Sequence, residues 1–242
     1  MNIAVILAGG SGQRLGHDIP KQFVEVFGKP LIVYALERYE RSMYIDAIEV
    51  VCIPNYIDTV QGYAKTYGIS KLRWVIPGGD SCQESTKNGI FHLEGICSED
   101  DVLIFGMSTS IFVDDDILQS SLDTCRRHGN AFAGKQCIYN LATSTDGLSS
   151  QSLNRKELHK TLNLPWTAPF KKLLELYKKA HAENIEMDAA AYIPTLFLAM
   201  GEVLYLSKDT AKNIIHVTTP EDLDIVKGCL LLDKMKQKGE TS

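Results

Sequence analysis

The chain opens MNIAVILAGGSGQRLGHDIPKQF, a continuous apolar run from Ile3 to Leu7 that empties into a glycine-rich loop followed by Arg14 and Lys21. Unbroken apolarity of this kind suits a strand buried on both faces, the position of a central strand in a parallel sheet. Open α/β sheets hold their ligands at the carboxyl ends of such strands, and small residues there let backbone N–H groups come close to phosphates. The first residues therefore predict both a fold class and the place of a site.

The rest of the chain repeats the theme. Ala47 to Ile53, Leu72 to Ile76 and Val102 to Phe105 are further short β-rich apolar runs, separated by stretches with helical spacing such as Leu31 to Tyr39 and Thr59 to Tyr67. Strand alternating with helix implies an α/β architecture with a mostly parallel sheet covered on both faces. Beyond Gly129, Ala131 to Tyr139 reads as a strand, Ser144 to Asn154 as a polar, turn-rich excursion, and Pro169 to Asn184 as a helix. Glu202 to Leu206 and Ile214 to Val217 are expected to return as strands. TTPEDLDIVKGCLLLDKM then closes the chain as a helix with Thr219 as cap, Pro220 in the first turn, and Glu221 and Asp222 against the positive end of the dipole. Nothing in this pattern divides residues 1–242, so one domain is expected, with a protruding arm over about 134–165.

Composition excludes several classes of function. A net charge of -5 with scattered basic residues offers no nucleic-acid surface. No apolar run is long enough to span a bilayer, and the first lacks the basic region of a signal peptide. Cys52, Cys82, Cys97, Cys125, Cys137 and Cys229 lack metal-ligand spacing and are read as reduced, which together predicts a cytoplasmic protein. His17, His92, His128, His159 and His181 likewise show no paired ligand spacing.

The opening loop matches neither common phosphate fingerprint: Leu15 stands where the third glycine of G-x-G-x-x-G belongs, and the P-loop pattern is missing. Its glycines alone are equally well a tight strand-to-helix turn. Arg14 and Lys21 favour phosphate, since two cations beside a backbone nest hold a polyphosphate and stabilise charge that develops during transfer.

AGGSGQRLGHDIPKQFVEVFGKPLIVYALERY, PGGDSCQESTKNGI and NIIHVTTPEDL together resemble the cytidylyltransferases that activate polyol phosphates, the group of the methylerythritol 4-phosphate and ribitol 5-phosphate enzymes. The resemblance runs from Ile3 to about Leu232. It implies a Rossmann-like, three-layer nucleotidyltransferase fold, a homodimer formed partly by the arm, CTP and a polyol phosphate as substrates, and Mg²⁺ as cofactor. Carried over by position, Ala8, Gly9, Gly10, Ser11 and Gly12 would wrap the triphosphate, Arg14 and Lys21 would stabilise the pentavalent phosphorus, and Gly79, Asp80 and Ser85 would read the base. The bland reading of Asp80 and Ser85 is helix capping.

The departures are equally specific. The strand-end aspartate that binds metal in this family falls in FGMSTS, where Gly106 takes its place, so that a protein ligand for the metal is weak or absent. His216 replaces a phosphate-contacting lysine, Cys82 a basic residue of the base-binding block, and LNLPWTAPF, Leu162 to Phe170, the acceptor-side Thr-Pro-Gln; Arg155 is the acceptor-side cation retained. Asp114, Asp115 and Asp116 are better explained as a helix N-terminus than as a substitute metal site. Three readings follow: an active cytidylyltransferase, with ribitol phosphate slightly preferred as acceptor; a catalytically impaired member that binds nucleotide or a partner enzyme; and a transferase with another nucleotide or acceptor.

Overall fold

A computed structural model of the chain describes residues 1–10, 19–183, 185 and 193–239. In chain order the elements are β1 (Asn2–Ala8), β2 (Glu25–Val26), β3 (Lys29–Pro30), α1 (Leu31–Arg41), β4 (Ala47–Cys52), α2 (Ile57–Tyr67), β5 (Leu72–Pro77), α3 (Cys82–His92), β6 (Val102–Met107) and α4 (Asp115–His128). They continue with β7 (Ala131–Gln136), β8 (Leu141–Ala142), β9 (Leu153–Asn154), β10 (Lys160–Pro169), α5 (Phe170–Ala182), α6 (Ile193–Ala199), β11 (Leu206–Ser207) and α7 (Pro220–Gln237).

The sheet has seven strands in the order β11-β7-β10-β6-β1-β4-β5. β1 lies between β4 and β6, parallel to both, with Val5 beside Glu49 and Phe105. Its apolar run is thus central, as the sequence implies. β10 alone runs against its neighbours, pairing antiparallel with β6 and β7.

Alternation along β1 feeds two cores. Ile3, Val5 and Leu7 pack under α3, α5 and α6 through Ile90, Leu173, Leu196 and Phe197. Ala4 and Ile6 pack under α1, α2 and α4 through Leu36, Tyr39, Val60 and Leu122. Each wholly buried aliphatic side chain contributes about 1.5 to 3 kcal/mol of transfer free energy. A third cluster joins Leu31 and Ala35 of α1 to Leu223, Val226 and Leu230 of α7. The three-layer α/β arrangement expected from the sequence is present.

Both expected caps form. Thr219 and Asp222 make a capping box on α7 with Pro220 in the first turn. Asp114 accepts from the Ile117 amide at 3.0 Å to cap α4, with Asp115 and Asp116 in the first turn, so the three acids serve a helix start.

Two expectations need correction. Glu202 to Leu206 contracts to the short β11, and Ile214 to Val217 joins no ladder. Side chains tie that segment instead. Asn213 Nδ2 donates to the Leu164 carbonyl at 2.6 Å and to Asp209 at 2.7 Å, while Asn163 Nδ2 donates to the Asn213 carbonyl at 2.7 Å. The chain between β7 and β10 leaves the main sheet, carries the small β8-β9 ladder, and presents Leu148, Leu153 and Leu158 to solvent.

Candidate active site

A cavity of about 940 Å³ opens at the carboxyl ends of the parallel strands. Gly9 and Gly10 reach it from β1, Gly78 to Cys82 from the turn between β5 and α3, and Met107, Ser108 and Thr109 from the end of β6. Lys21, Gln22, His216 and Thr218 close another side, and Leu162, Asn163, Leu164, Trp166, Pro194 and Thr195 a third. Among the sequence-predicted residues, Gly9, Gly10, Lys21, Gly79, Asp80, Ser85 and His216 therefore share one cavity. Ser11, Gly12 and Arg14 lie outside the described residues.

The PKQF block divides its labour. Lys21 to Phe23 forms a single 3-10 turn in which Gln22 and Phe23 are buried. Gln22 Nε2 donates to the Ala8 carbonyl at 2.7 Å and to the Gly10 carbonyl at 3.0 Å. It thereby satisfies acceptors at the end of β1 and leaves the loop backbone fixed against the cavity; Ala8 itself acts through that carbonyl and does not line the space. Phe23 stacks on Tyr56 with ring centroids 4.2 Å apart. Lys21 turns the other way, and its Nζ donates to the Val217 carbonyl at 2.8 Å, which brings the ammonium to the C-terminal segment beside His216.

The turn before α3 is held as tightly. Ser81 caps the helix by accepting from the Glu84 amide at 3.0 Å, and Glu84 in return accepts from the Asp80 amide at 2.8 Å. The cap is thus Ser81, which corrects the capping reading of Asp80 and Ser85. Ser85, 2% exposed, accepts from the Gly79 amide at 3.1 Å. Its Oγ would lie only 2.9 Å from a Cβ at position 9 and 2.8 Å from one at position 78, so the two glycine turns close on one hydroxyl. The amides of Gly78, Gly79 and Asp80 are thus all engaged within the protein, the first by the Cys52 carbonyl at 2.7 Å, and it is the Asp80 side chain and the carbonyls of this turn that can meet a ligand.

His216 is half-buried beside Lys21. Burial first, and the Lys21 charge second, hold its imidazole below the ordinary histidine range, so it is neutral at neutral pH. Its Nδ1 lies 3.4 Å from Ser110 Oγ. Across the cavity the wall is apolar: Leu162, Leu164, Met107 and Trp166, with the Cys82 thiol pushed up by burial. Arg155 does not line the cavity; it is exposed on the excursion, just before the turn Lys156–Leu158.

The end of β6 does not fit Mg²⁺. A Cβ built on Gly106 runs into the Tyr39 hydroxyl and lies 3.2 Å from Ile6 Cδ1, both members of the core layer under α1 and α4. Successive strand residues point to opposite faces, and it is Met107, packed with Leu7 on the other layer, that lines the cavity. A thioether and hydroxyls are not the carboxylate oxygens that magnesium takes from protein, and among the described residues Asp80 is the one acidic side chain in the lining. Among the described residues no three acidic, histidine or cysteine side chains could hold a metal.

Some residues at or near the cavity were not singled out individually by the sequence. Thr195 reaches the cavity from α6 with no such signal, whereas Met107 and Asn163 lie within FGMSTS and LNLPWTAPF, segments the sequence marked without indicating which of their residues face the cavity. Glu49 is different: a lone acid inside AIEVVC, it is 0% exposed and meets His92 Nδ1 at 2.6 Å behind α3. Burial drives its pKa up to about 8 and drives that of His92 down, so the contact joins a protonated carboxyl to a neutral imidazole.

Known proteins share this sequence pattern and fold. A ribitol-5-phosphate cytidylyltransferase of Lacticaseibacillus paracasei is 35% identical over 95% of this chain and 98% of its own length. One from Vibrio parahaemolyticus is 28% identical over 95% and 96%. The crystal structure of 4-diphosphocytidyl-2C-methyl-D-erythritol synthase from Anaerococcus prevotii shares the fold, with a TM-score of 0.79 over 96% of this chain and 98% of that one at 18% identity. Residues 2–231 match the family model for IspD, 2-C-methyl-D-erythritol 4-phosphate cytidylyltransferase, and the chain belongs to that family.

Proposed function

We propose that the protein transfers the cytidylyl group of CTP to a phosphorylated polyol and releases pyrophosphate. The observation that carries the reading is the convergence of Gly9 and Gly10, the Gly78 to Cys82 turn, Lys21 and His216 on one cavity at the strand ends. In this reading a phosphate oxygen of the acceptor bonds to the α-phosphorus while the bond to the α,β-bridging oxygen breaks, and that electron pair leaves with pyrophosphate. Positioning and charge stabilisation supply the catalysis. Lys21 faces the charge that builds at phosphorus, with Arg14 assigned the same task from the resemblance. Backbone donors of the β1 loop hold the β- and γ-phosphates, and neutral His216 offers a hydrogen bond where the family's lysine would offer a charge. Gly79 and Asp80 select the base, with Ser85 holding their turn in place.

Ribitol phosphate is the preferred acceptor, because the relatives that are 35% and 28% identical bear that name. Arg155 on the excursion is assigned to acceptor binding across a homodimer, and the exposed Leu148, Leu153 and Leu158 there are the surface that reading uses. Magnesium enters as the companion of the nucleotide, and we place the protein in the cytoplasm as one domain with an arm. The bare strand end favours a second reading, nucleotide binding with little turnover.

Pyrophosphate release from CTP with ribitol 5-phosphate or 2-C-methyl-D-erythritol 4-phosphate, alongside calorimetric titration of CTP, UTP and ATP, tests these together. CTP binding at least about tenfold tighter than that of the other nucleotides, with acceptor-dependent release, supports the first reading. CTP binding without release supports the second, and equal binding of all three nucleotides refutes base selection by the Gly79–Asp80 turn.

A further inference from the structure

The cavity contains a feature that changes how a nucleotide must be held. Gly106 is aimed out of it, at Tyr39, and Tyr39 is a rigid ring with 0% exposure whose hydroxyl finds no partner among the described residues. The difference from the family pattern is therefore more than a missing carboxylate: the space that a side chain at this position would fill is already occupied, in the core layer on the far side of the sheet from Met107. What faces the cavity at this strand end is Met107 followed by Ser108 and Thr109, which are 4% and 1% exposed. Ser108 is fixed by its amide to the Leu7 carbonyl at 3.0 Å, and Ser110 by its amide to the Met107 carbonyl at 3.0 Å. The shelf is neutral, built and closed.

Where the end of β6 offers a hard cation no carboxylate, and Asp80 is the one acid among the described lining residues, a triphosphate is balanced chiefly by hydrogen-bond donors and cations of the chain. The same cavity is lined by the Lys21 ammonium side chain and by Gly9 and Gly10, whose flanking Ala8 and Gly10 carbonyls are held by Gln22. We infer that this chain binds its nucleotide without a protein-held divalent ion, so that the end of β6 is a neutral hydroxyl shelf and the affinity for CTP is independent of Mg²⁺. The inference rests on the nucleotide reading of the cavity and deepens it.

The test is calorimetric titration of the full chain with CTP in EDTA and again in excess Mg²⁺, with water-proton relaxation used to follow Mn²⁺ binding to the protein alone. Dissociation constants for CTP that agree within fivefold, with no Mn²⁺ binding tighter than millimolar, are expected. CTP binding more than fivefold tighter in Mg²⁺, or submillimolar Mn²⁺ binding by the free chain, overturns the inference while leaving the nucleotide reading intact. Failure of CTP to bind in either buffer overturns the nucleotide reading and the inference with it.

Discussion

Replacing Gly106 with alanine adds one methyl group where the Tyr39 hydroxyl already lies. The geometry leaves little relief, because Ile6 Cδ1 stands 3.2 Å away and Tyr39 is packed among Leu36, Ile32 and Ile104 with 0% exposure. Overpacking of this kind costs about 1 to 3 kcal/mol, and for a chain of this length each kcal/mol lowers the midpoint of thermal unfolding by about 2 to 4 °C. Tyr39→Phe removes the colliding oxygen. Since that hydroxyl makes no hydrogen bond among the described residues, and burial holds its pKa well above the usual phenol range, its loss should cost under about 1 kcal/mol. In the Tyr39→Phe background, Gly106→Ala should then cost at least about 1 kcal/mol less than it does alone, a coupling typical of residues in contact. Urea unfolding followed by the fluorescence of Trp74 and Trp166 measures all four proteins. Equal costs in the two backgrounds, or a Tyr39→Phe protein destabilised by more than about 2 kcal/mol, would refute the reasoning, the second because it requires a bonded hydroxyl. The same geometry predicts that Gly106→Asp fails to create a metal ligand and is destabilised more than Gly106→Ala, since it adds a carboxylate to an apolar layer.

Lys21→Ala should weaken CTP binding by about 1 to 3 kcal/mol, and because Lys21 also holds the Val217 carbonyl it should lower stability by about 1 kcal/mol; calorimetry and urea unfolding separate the two losses, and unchanged CTP affinity refutes the assignment. Gln22→Leu leaves the Ala8 and Gly10 carbonyls without their donor and should cost about 1 to 3 kcal/mol in stability with a further loss of CTP affinity, which thermal unfolding with and without CTP would reveal. Glu49 has a folded-state pKa raised by burial to about 8, so the folded protein holds this proton more strongly than the unfolded chain does. That contribution is complete below about pH 4.5 and is lost as pH rises to about 8, and between those values the stability should fall by up to about 1.4 kcal/mol per pH unit in the native protein and less in Glu49→Gln. Parallel pH profiles for the two proteins would exclude Glu49 as the source.

The continuity of Ile3 to Leu7 was enough to predict a central strand, because burial on both faces removes the need for alternation, and the glycines after it stand at the strand end where the cavity opens. Capping is equally local, which is why Thr219, Pro220 and Asp222, or Asp114 before Ile117, could be read from adjacent letters. The family resemblance implies that Lys21 and His216 lie near one phosphate site, but only folding brings Lys21 to a carbonyl 196 residues away, beside His216. Three facts were beyond any local pattern. Ile214 to Val217 has the composition of a strand yet joins none, since Asn213 has bound the segment to the Leu164 carbonyl. Glu49 is an acid in a strand whose charge state depends on α3 lying over it with His92. Gly106 occupies a family ligand position in alignment, but which face a strand residue presents is set by register and by the helix packed behind it, and here α1 delivers Tyr39 to that point. Sequence determines what depends on neighbours along the chain; direction, burial and proton affinity depend on neighbours in space, and those the tertiary structure alone decides.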